Sequence, residues 1–218
     1  MITITEEQQS LFEILNSGGE KTDDNTDPVT RLQELEKTCL ECQKCDLRKG
    51  CRQVVFGGGH PQARLMLVGE APGADEDRLG TPFVGRAGQL LDRILNAAEI
   101  DRADVYITNI AKCRPPGNRL PLQPEVDACL PYLFEQLELI NPDIVVCLGA
   151  LATRTLIDKK ASITRMRGTW HEKDKRRYMA TFHPAALLRD PSKKKQVWED
   201  FKELTLYYHQ LGEVQQDR

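Results

Sequence analysis

From residue 63 onward, short apolar runs alternate with longer amphipathic ones, and this alternation restricts the fold more than any other feature of the chain. ARLMLVG (63–69), DVYITNIA (104–111), DIVVCLG (143–149) and RYMATF (177–182) have the length of buried strands. Residues 84–98, 124–140, 150–157 and 194–211 follow them with helical periodicity. Strands that alternate with helices need crossover connections, which place helices on both faces of a parallel sheet. The expected architecture is a three-layer α/β/α sandwich around a central four-stranded parallel sheet. In such a fold a ligand lies beyond the carboxyl ends of the strands, at the point where strand order reverses.

Upstream of this pattern, TEEQQSLFEILNS (5–17) predicts a short amphipathic helix, and EKTDDNTDP predicts a polar linker. Asp27 followed by Pro28 predicts a cap and first position of a second helix, with Val29, Leu32 and Leu35 on one face. The organisation expected is a flexible acidic extension over 1–26 and one domain over 27–218. No run has transmembrane length and no apolar leader opens the sequence, so a soluble, cytoplasmic protein is expected.

The formal charge of −3 conceals an uneven distribution. Residues 1–38 carry nine acids against three bases, whereas residues 151–195 carry thirteen Lys and Arg against four acids. The second segment, which includes RMR, KDKRR and SKKK, is able to meet a phosphate backbone; a solvated basic face is the alternative.

CLECQKC (39–45) spaces three cysteines at two-residue gaps, and Cys113 and Cys129 lie in the second crossover. Thiols one helical turn apart are poorly placed for a structural disulfide, and a CxxC joined to two distant cysteines reads as a four-thiolate metal site. The spacing leaves zinc and iron-sulfur open. Cys147, within an apolar strand, belongs with the core.

The strand ends hold the remaining chemistry. After the first strand come Glu70, then Glu76 and Asp77, then Phe83, expected as an exposed aromatic plate held by Pro82. Carboxylates beside an aromatic suit a planar polar ligand. After the second strand, Asn109 offers a donor and an acceptor side by side, as the edge of a base requires, and Asn118 sits in a proline-stiffened loop. After the fourth strand, His183 opens a helix and precedes Arg189, Lys193, Lys194 and Lys195, where it is able to stabilise negative charge on a ligand.

GEAPG, PFVGRAGQLL, TNIAKCRPPGNR and FHPA occur in an order and at spacings that resemble the family 4 uracil-DNA glycosylases, the iron-sulfur type, over roughly residues 40–208. The resemblance implies a prokaryotic, nucleoid-associated monomer that flips uracil out of single- or double-stranded DNA and hydrolyses its N-glycosidic bond, starting base excision repair. It implies a 4Fe-4S cluster on Cys42, Cys45, Cys113 and Cys129, with Cys39 spare or a substitute and Cys51 a loop thiol. It implies uracil binding by Phe83, Asn109, Ala71 and Gly73, and catalysis by Glu70, Asn118 and His183, with Glu76 or Asp77 as alternative partners of the water. Phosphate contacts fall to Arg189, Lys193, Lys194 and Lys195. The acidic extension lies outside the resemblance, and recruitment of a repair or replication partner is a separate expectation for it. A covalent uracil trap would need a histidine between Asn109 and Cys129, and none is present. A sister glycosylase group lacking the first-motif acid is opposed by Glu70. A non-catalytic iron-sulfur module that binds DNA or nucleotides is the alternative from another class.

Overall fold

The computed structural model describes residues 26–216. Asp27 caps the first helix, α1 (Pro28–Leu40), by accepting from the Val29 and Thr30 amides at 2.9 and 3.2 Å. Pro28 stands at its start, where a missing N–H costs nothing. A short helix α2 (Leu47–Gly50) follows, then β1 (Gly58–Gly59), β2 (Leu65–Gly69), α3 (Ala74–Leu79), α4 (Arg86–Ala97) and β3 (Val105–Asn109). The remaining elements are α5 (Gln123–Ile140), β4 (Ile144–Leu148), α6 (Ala150–Leu156), α7 (Ile163–Met166), β5 (Trp170–Lys173), β6 (Arg176–Thr181), α8 (Pro184–Arg189) and α9 (Lys194–Gln216). The helix expected over 5–17 lies outside the described residues. No helix among them is long and apolar enough to cross a membrane.

The sheet has six strands in the order β1-β3-β2-β4-β6-β5, rather than the four expected. The four expected strands form its parallel centre, and β1 and β5 add an antiparallel strand at each edge. Neither edge strand has a recognisable sequence pattern. The first is a two-residue glycine pair, and the second, WHEK, is partly buried at Trp170 and His171 and exposed at Glu172 and Lys173, as suits an edge. A tight turn joins β5 to β6 through Asp174 and Lys175, both at positive φ, without the usual Asn-Gly signal.

Alternate residues of the central strands enter two cores. Met66, Val68, Tyr106, Val145, Cys147 and Tyr178 face α1, α2, α5 and α6, while Leu65, Leu67, Val105, Ile107, Val146 and Met179 face α4, α8 and α9. All five residues of β2, β3 and β4 are buried, as expected of a sheet covered on both faces. The chain leaves β2, forms β3 on one side, and returns to form β4 on the other. The order therefore reverses between β2 and β4, which locates the crevice at Gly69 and Gly149.

Gly88 supports that crevice from below. A Cβ there would overlap the Phe83 carbonyl, which as main chain cannot rotate away. Alanine gains about 1 kcal/mol of helix propensity over glycine, whereas forcing an atom into close-packed structure costs about 1–3 kcal/mol. The clash therefore outweighs the propensity gain: Gly88→Ala lowers the urea midpoint at unchanged slope, and a midpoint equal to or above the parent's refutes this packing.

Candidate functional site

Backbone without side chains brings the strand ends together. A Cβ on Gly69, the last residue of β2, would overlap Asn109 Oδ1 and stand 2.7 Å from the Phe83 ring. A Cβ on Gly149, just past β4, would lie 2.7 Å from Glu70 Oε1 and 3.1 Å from His183 Cβ. Gly149 has φ 97°, a conformation open to glycine and costly for other residues. Glu70, Phe83, Asn109 and His183 thus surround two glycines at the switch point.

Asn109 ends β3 and is 1 % exposed. Its backbone carbonyl accepts from the buried Lys112 ammonium at 2.9 Å, which fixes the strand end. Its side-chain Oδ1 is buried with no hydrogen-bond partner in the protein. Buried acceptors are nearly always paired, so this one requires a donor from outside the chain.

Phe83 departs from expectation: it is buried, not an exposed plate. The chain takes positive φ at this residue, and the ring is turned inward over Gly69, with its centroid 5.5 Å from that of His183 and a tilt of 31°. Pro82 and the start of α4 predicted a turn, but they carried no information on which way the ring faces.

His183 caps α8, where its Nδ1 accepts from the Ala185 amide at 3.1 Å. A neutral imidazole accepting at Nδ1 carries its proton on Nε2. Burial, aided by the nearby Arg189 charge, pushes its pKa down to about 4, so the ring is neutral at ordinary pH. The site therefore holds an uncharged N–H donor.

Glu70 follows β2, half-buried, with its Oε1 3.5 Å from the Leu151 amide at the start of α6. Burial raises its pKa, while the Leu151 N–H and the charges of Arg154 and Arg189 oppose that shift. Glu76 and Asp77 are differently committed. Glu76 accepts from the Gly73, Val84 and Gly85 amides at 3.1, 2.9 and 2.8 Å, and Asp77 accepts from the Arg52 amide at 2.8 Å. Glu76 braces the loop from Gly73 to Gly85, and Asp77 ties α3 to the segment after α2.

The other expected residues are held by different contacts. Asn118 is exposed, at φ 56°, with Oδ1 accepting from Arg114 Nε at 2.8 Å. Ala71 packs partly buried against the core that faces α1 and α5. Gly73 uses its amide on Glu76. Arg189, Lys194 and Lys195 are exposed, whereas Lys193 pairs with Asp190 at 3.0 Å and lies over Phe182. Other bases in the basic segment are also paired internally: Arg167 with Asp200, Arg176 with Glu138 and Arg177 with Glu172.

The sequence reading missed Gly149, Leu151, Arg154 and Leu188. The first three follow the third strand, whose end carries no titratable residue to draw attention. Leu188 is 41 % exposed on α8, directly before Arg189. An apolar side chain standing out of a basic rim has the character of a wedge that enters a base stack.

No disulfide joins any of the seven cysteines. Cys42, Cys45, Cys113 and Cys129 line one cavity beneath α1 and α5, together with Cys39, Lys44, Arg48, Lys112 and Tyr132. The Lys112 amide lies 3.2 Å from Cys129 Sγ, and the Lys44 amide 3.5 Å from Cys42 Sγ. Burial raises the thiol pKa of Cys39, Cys113 and Cys129, and neighbouring cysteines add to the effect. Four cysteines around one cavity, with amides donating to two of their sulfurs, fit thiolate coordination of a shared group. Cys39, read as a spare or a substitute ligand, is buried in the same wall. Cys147 is in the core, as expected.

Residues 56–202 match the Uracil DNA glycosylase superfamily. The chain is 41 % identical over 181 residues to the type-4 uracil-DNA glycosylase of Archaeoglobus fulgidus, covering 79 % of this chain and 91 % of that one. It is 42 % identical over 182 residues to the protein of that name from Sulfurisphaera tokodaii, covering 79 % and 83 %. To that of Thermotoga maritima it is 43 % identical over 187 residues, covering 83 % and 96 %. Matched along most of its length and carrying the cysteine-lined cavity and crevice described above, the chain belongs to the type-4 uracil-DNA glycosylase family.

Proposed function

We propose that the chain removes uracil from DNA by hydrolysing the bond between uracil N1 and the deoxyribose, leaving an abasic site as the first product of base excision repair. The observation that carries this reading is the buried, unpaired Oδ1 of Asn109 beside the Phe83 and His183 rings. Uracil presents an N3–H donor next to an O4 acceptor. The Asn109 amide complements both, with Oδ1 accepting and Nδ2 donating. A base in a duplex reaches this crevice only by rotating out of the stack. Phe83 then offers a ring to the uracil, Leu188 enters the space vacated in the stack, and Arg189, Lys194 and Lys195 hold the flanking phosphates.

Breaking the bond sends its electron pair to the base, which develops negative charge on O2, and leaves the sugar with positive charge. His183, neutral with its proton on Nε2, donates a hydrogen bond to that oxygen without transferring the proton. The Glu70 carboxylate stabilises the sugar cation and takes a proton from the water that adds to C1′. Glu76 and Asp77 are occupied by main-chain amides, which leaves this role to Glu70. Asn118, on the exposed turn where its Oδ1 accepts from Arg114, assists in positioning the water, and Ala71 and Gly73, on the loop that follows Glu70, border the uracil.

The donor set suits a 4Fe-4S cluster on Cys42, Cys45, Cys113 and Cys129. When bound it supplies a crosslink between the segment after α1, the loop after β3 and helix α5, four residues from Asn109. No step of the hydrolysis needs an electron from it. The chain works as a monomer on DNA in the cytoplasm, and its acidic extension over 1–26 recruits a repair or replication partner.

Three outcomes test this reading. In single-turnover excision on an end-labelled oligonucleotide with one uracil, alkali-sensitive breaks appear only with uracil, and His183→Ala slows them roughly a hundred- to a thousandfold, the usual effect of losing one preorganised donor. Glu70→Gln slows them as well. Uracil-independent breaks, or full rates in both variants, refute the assignment; DNA binding without breaks favours a non-catalytic module, and a protein–DNA band that survives denaturation favours a covalent trap. Nitrogen-15 NMR finds His183 as the Nε2–H tautomer, titrating at about 4. Because this value lies below the ordinary 6.5, the stability linked to a neutral His183 is present above 6.5 and declines as pH falls towards 4. Titration near 6.5 contradicts a neutral buried donor. Finally, Cys113→Ala and Cys129→Ala remove the brown colour and the bound iron and sulfide of the anaerobically purified protein, whereas Cys147→Ala retains them.

A further inference from the structure

Among the described residues, three buried side-chain nitrogen or oxygen atoms have no hydrogen-bond partner: Asn109 Oδ1, Arg48 Nε and Arg176 Nε. The first faces the uracil site. The third belongs to a guanidinium whose other nitrogens already reach Glu138, the Leu137 carbonyl and Asn141. Arg48 is different. It sits on α2, between the cysteines, and lines the cavity shared by Cys42, Cys45, Cys113 and Cys129. Its Nη1 lies 3.7 Å from Cys51 Sγ, a weak contact that leaves Nε–H unanswered.

A guanidinium is always protonated and only donates, so a buried Nε–H calls for an acceptor. The acceptors that a cysteine-lined cavity would hold are thiolate and sulfide. We propose that Arg48 is a positioning residue for the iron-sulfur cluster, donating its Nε–H to a cluster sulfur and placing a fixed positive charge beside the four thiolates. This rests on the cluster reading given above. Two further cations, Lys44 and Lys112, line the same cavity, but Lys112 spends its ammonium on Gln136, Thr108 and the Asn109 carbonyl, and Lys44 lies over the Tyr132 ring. Arg48 is the one whose buried donor remains unassigned within the protein.

A hydrogen bond to sulfur and a nearby cation both favour the state with the extra electron, so they raise the reduction potential of a cluster. The test uses the full-length chain purified anaerobically, with iron and sulfide assayed and the one-electron midpoint measured by spectroelectrochemical titration. Arg48→Gln retains iron and sulfide but is about tenfold harder to reduce, a shift of about 59 mV to lower potential for one electron. It also releases iron to a ferrous chelator faster than the parent. Cys51→Ala, which deletes the other partner of the guanidinium seen among the described residues and a hydrogen-bonding neighbour of Cys113, moves both readouts less than Arg48→Gln does. A parental midpoint and parental iron release in Arg48→Gln overturn the proposal. So does an equal shift in Cys51→Ala, which would mean that Arg48 acts through that thiol. If Arg48→Gln fails to retain the cluster, Arg48→Lys decides instead: it keeps the charge without a donor at the Nε position, so a lowered midpoint supports the proposal and a parental one overturns it. A parent protein without iron and sulfide refutes the cluster reading itself, an outcome distinct from a parent that carries the cluster and variants that do not shift.

Discussion

The site depends on close approach of backbone at two adjacent strand ends. Gly69 and Gly149 end the central strands where strand order reverses; a Cβ at Gly69 would overlap Asn109 and crowd the Phe83 ring, and at Gly149 the positive φ favours glycine. With any larger residue at 69, Asn109 and Phe83 would be forced apart; with one at 149, Glu70 and His183 would lose their common neighbour. The crevice is therefore a property of the sheet, because the parallel register of β2 with β3 and β4 fixes the separation of those ends. Loop residues then adjust side-chain direction within that fixed frame.

Electrostatics in the crevice follow from the same burial. A half-buried carboxyl and a half-buried imidazole respond in opposite senses, Glu70 upward and His183 downward, since desolvation disfavours the charged form of each. Arg154 and Arg189 offset this for Glu70, and Arg189 reinforces it for His183. One neighbouring cation thus favours both a charged carboxylate and a neutral donor. Those are the two states needed to stabilise a sugar cation and a base anion at opposite ends of a breaking bond.

The cysteine cavity and the crevice share one short segment of chain. Asn109 and Cys113 are four residues apart, and Lys112 between them is fully enclosed, with its ammonium on Thr108, Gln136 and the Asn109 carbonyl. A group bound by the cysteines would hold the far end of that segment as the β3 ladder holds the near end. This gives a physical reason for a crosslinking group to lie near a site whose chemistry moves no electrons.

Periodicity alone specified the four parallel strands, the long helices and the Asp27-Pro28 helix start, since each depends on local spacing of apolar residues and on capping chemistry. Motif order drew attention to Glu70, Asn109, His183 and the four cysteines, and the structure brings the first three to one crevice and the cysteines to one cavity, because polar groups at strand ends remain visible even when their neighbours are unknown. The edge strands were not legible: a glycine pair and WHEK become strands only because a neighbouring strand offers hydrogen bonds. The direction of the Phe83 ring, the commitment of Glu76 and Asp77 to main-chain amides, the internal pairing of several basic residues, and the orphan nitrogen of Arg48 were decided by tertiary structure. Each depends on contacts between residues distant in sequence or on which way a turn faces, and a linear pattern of residue types carries neither.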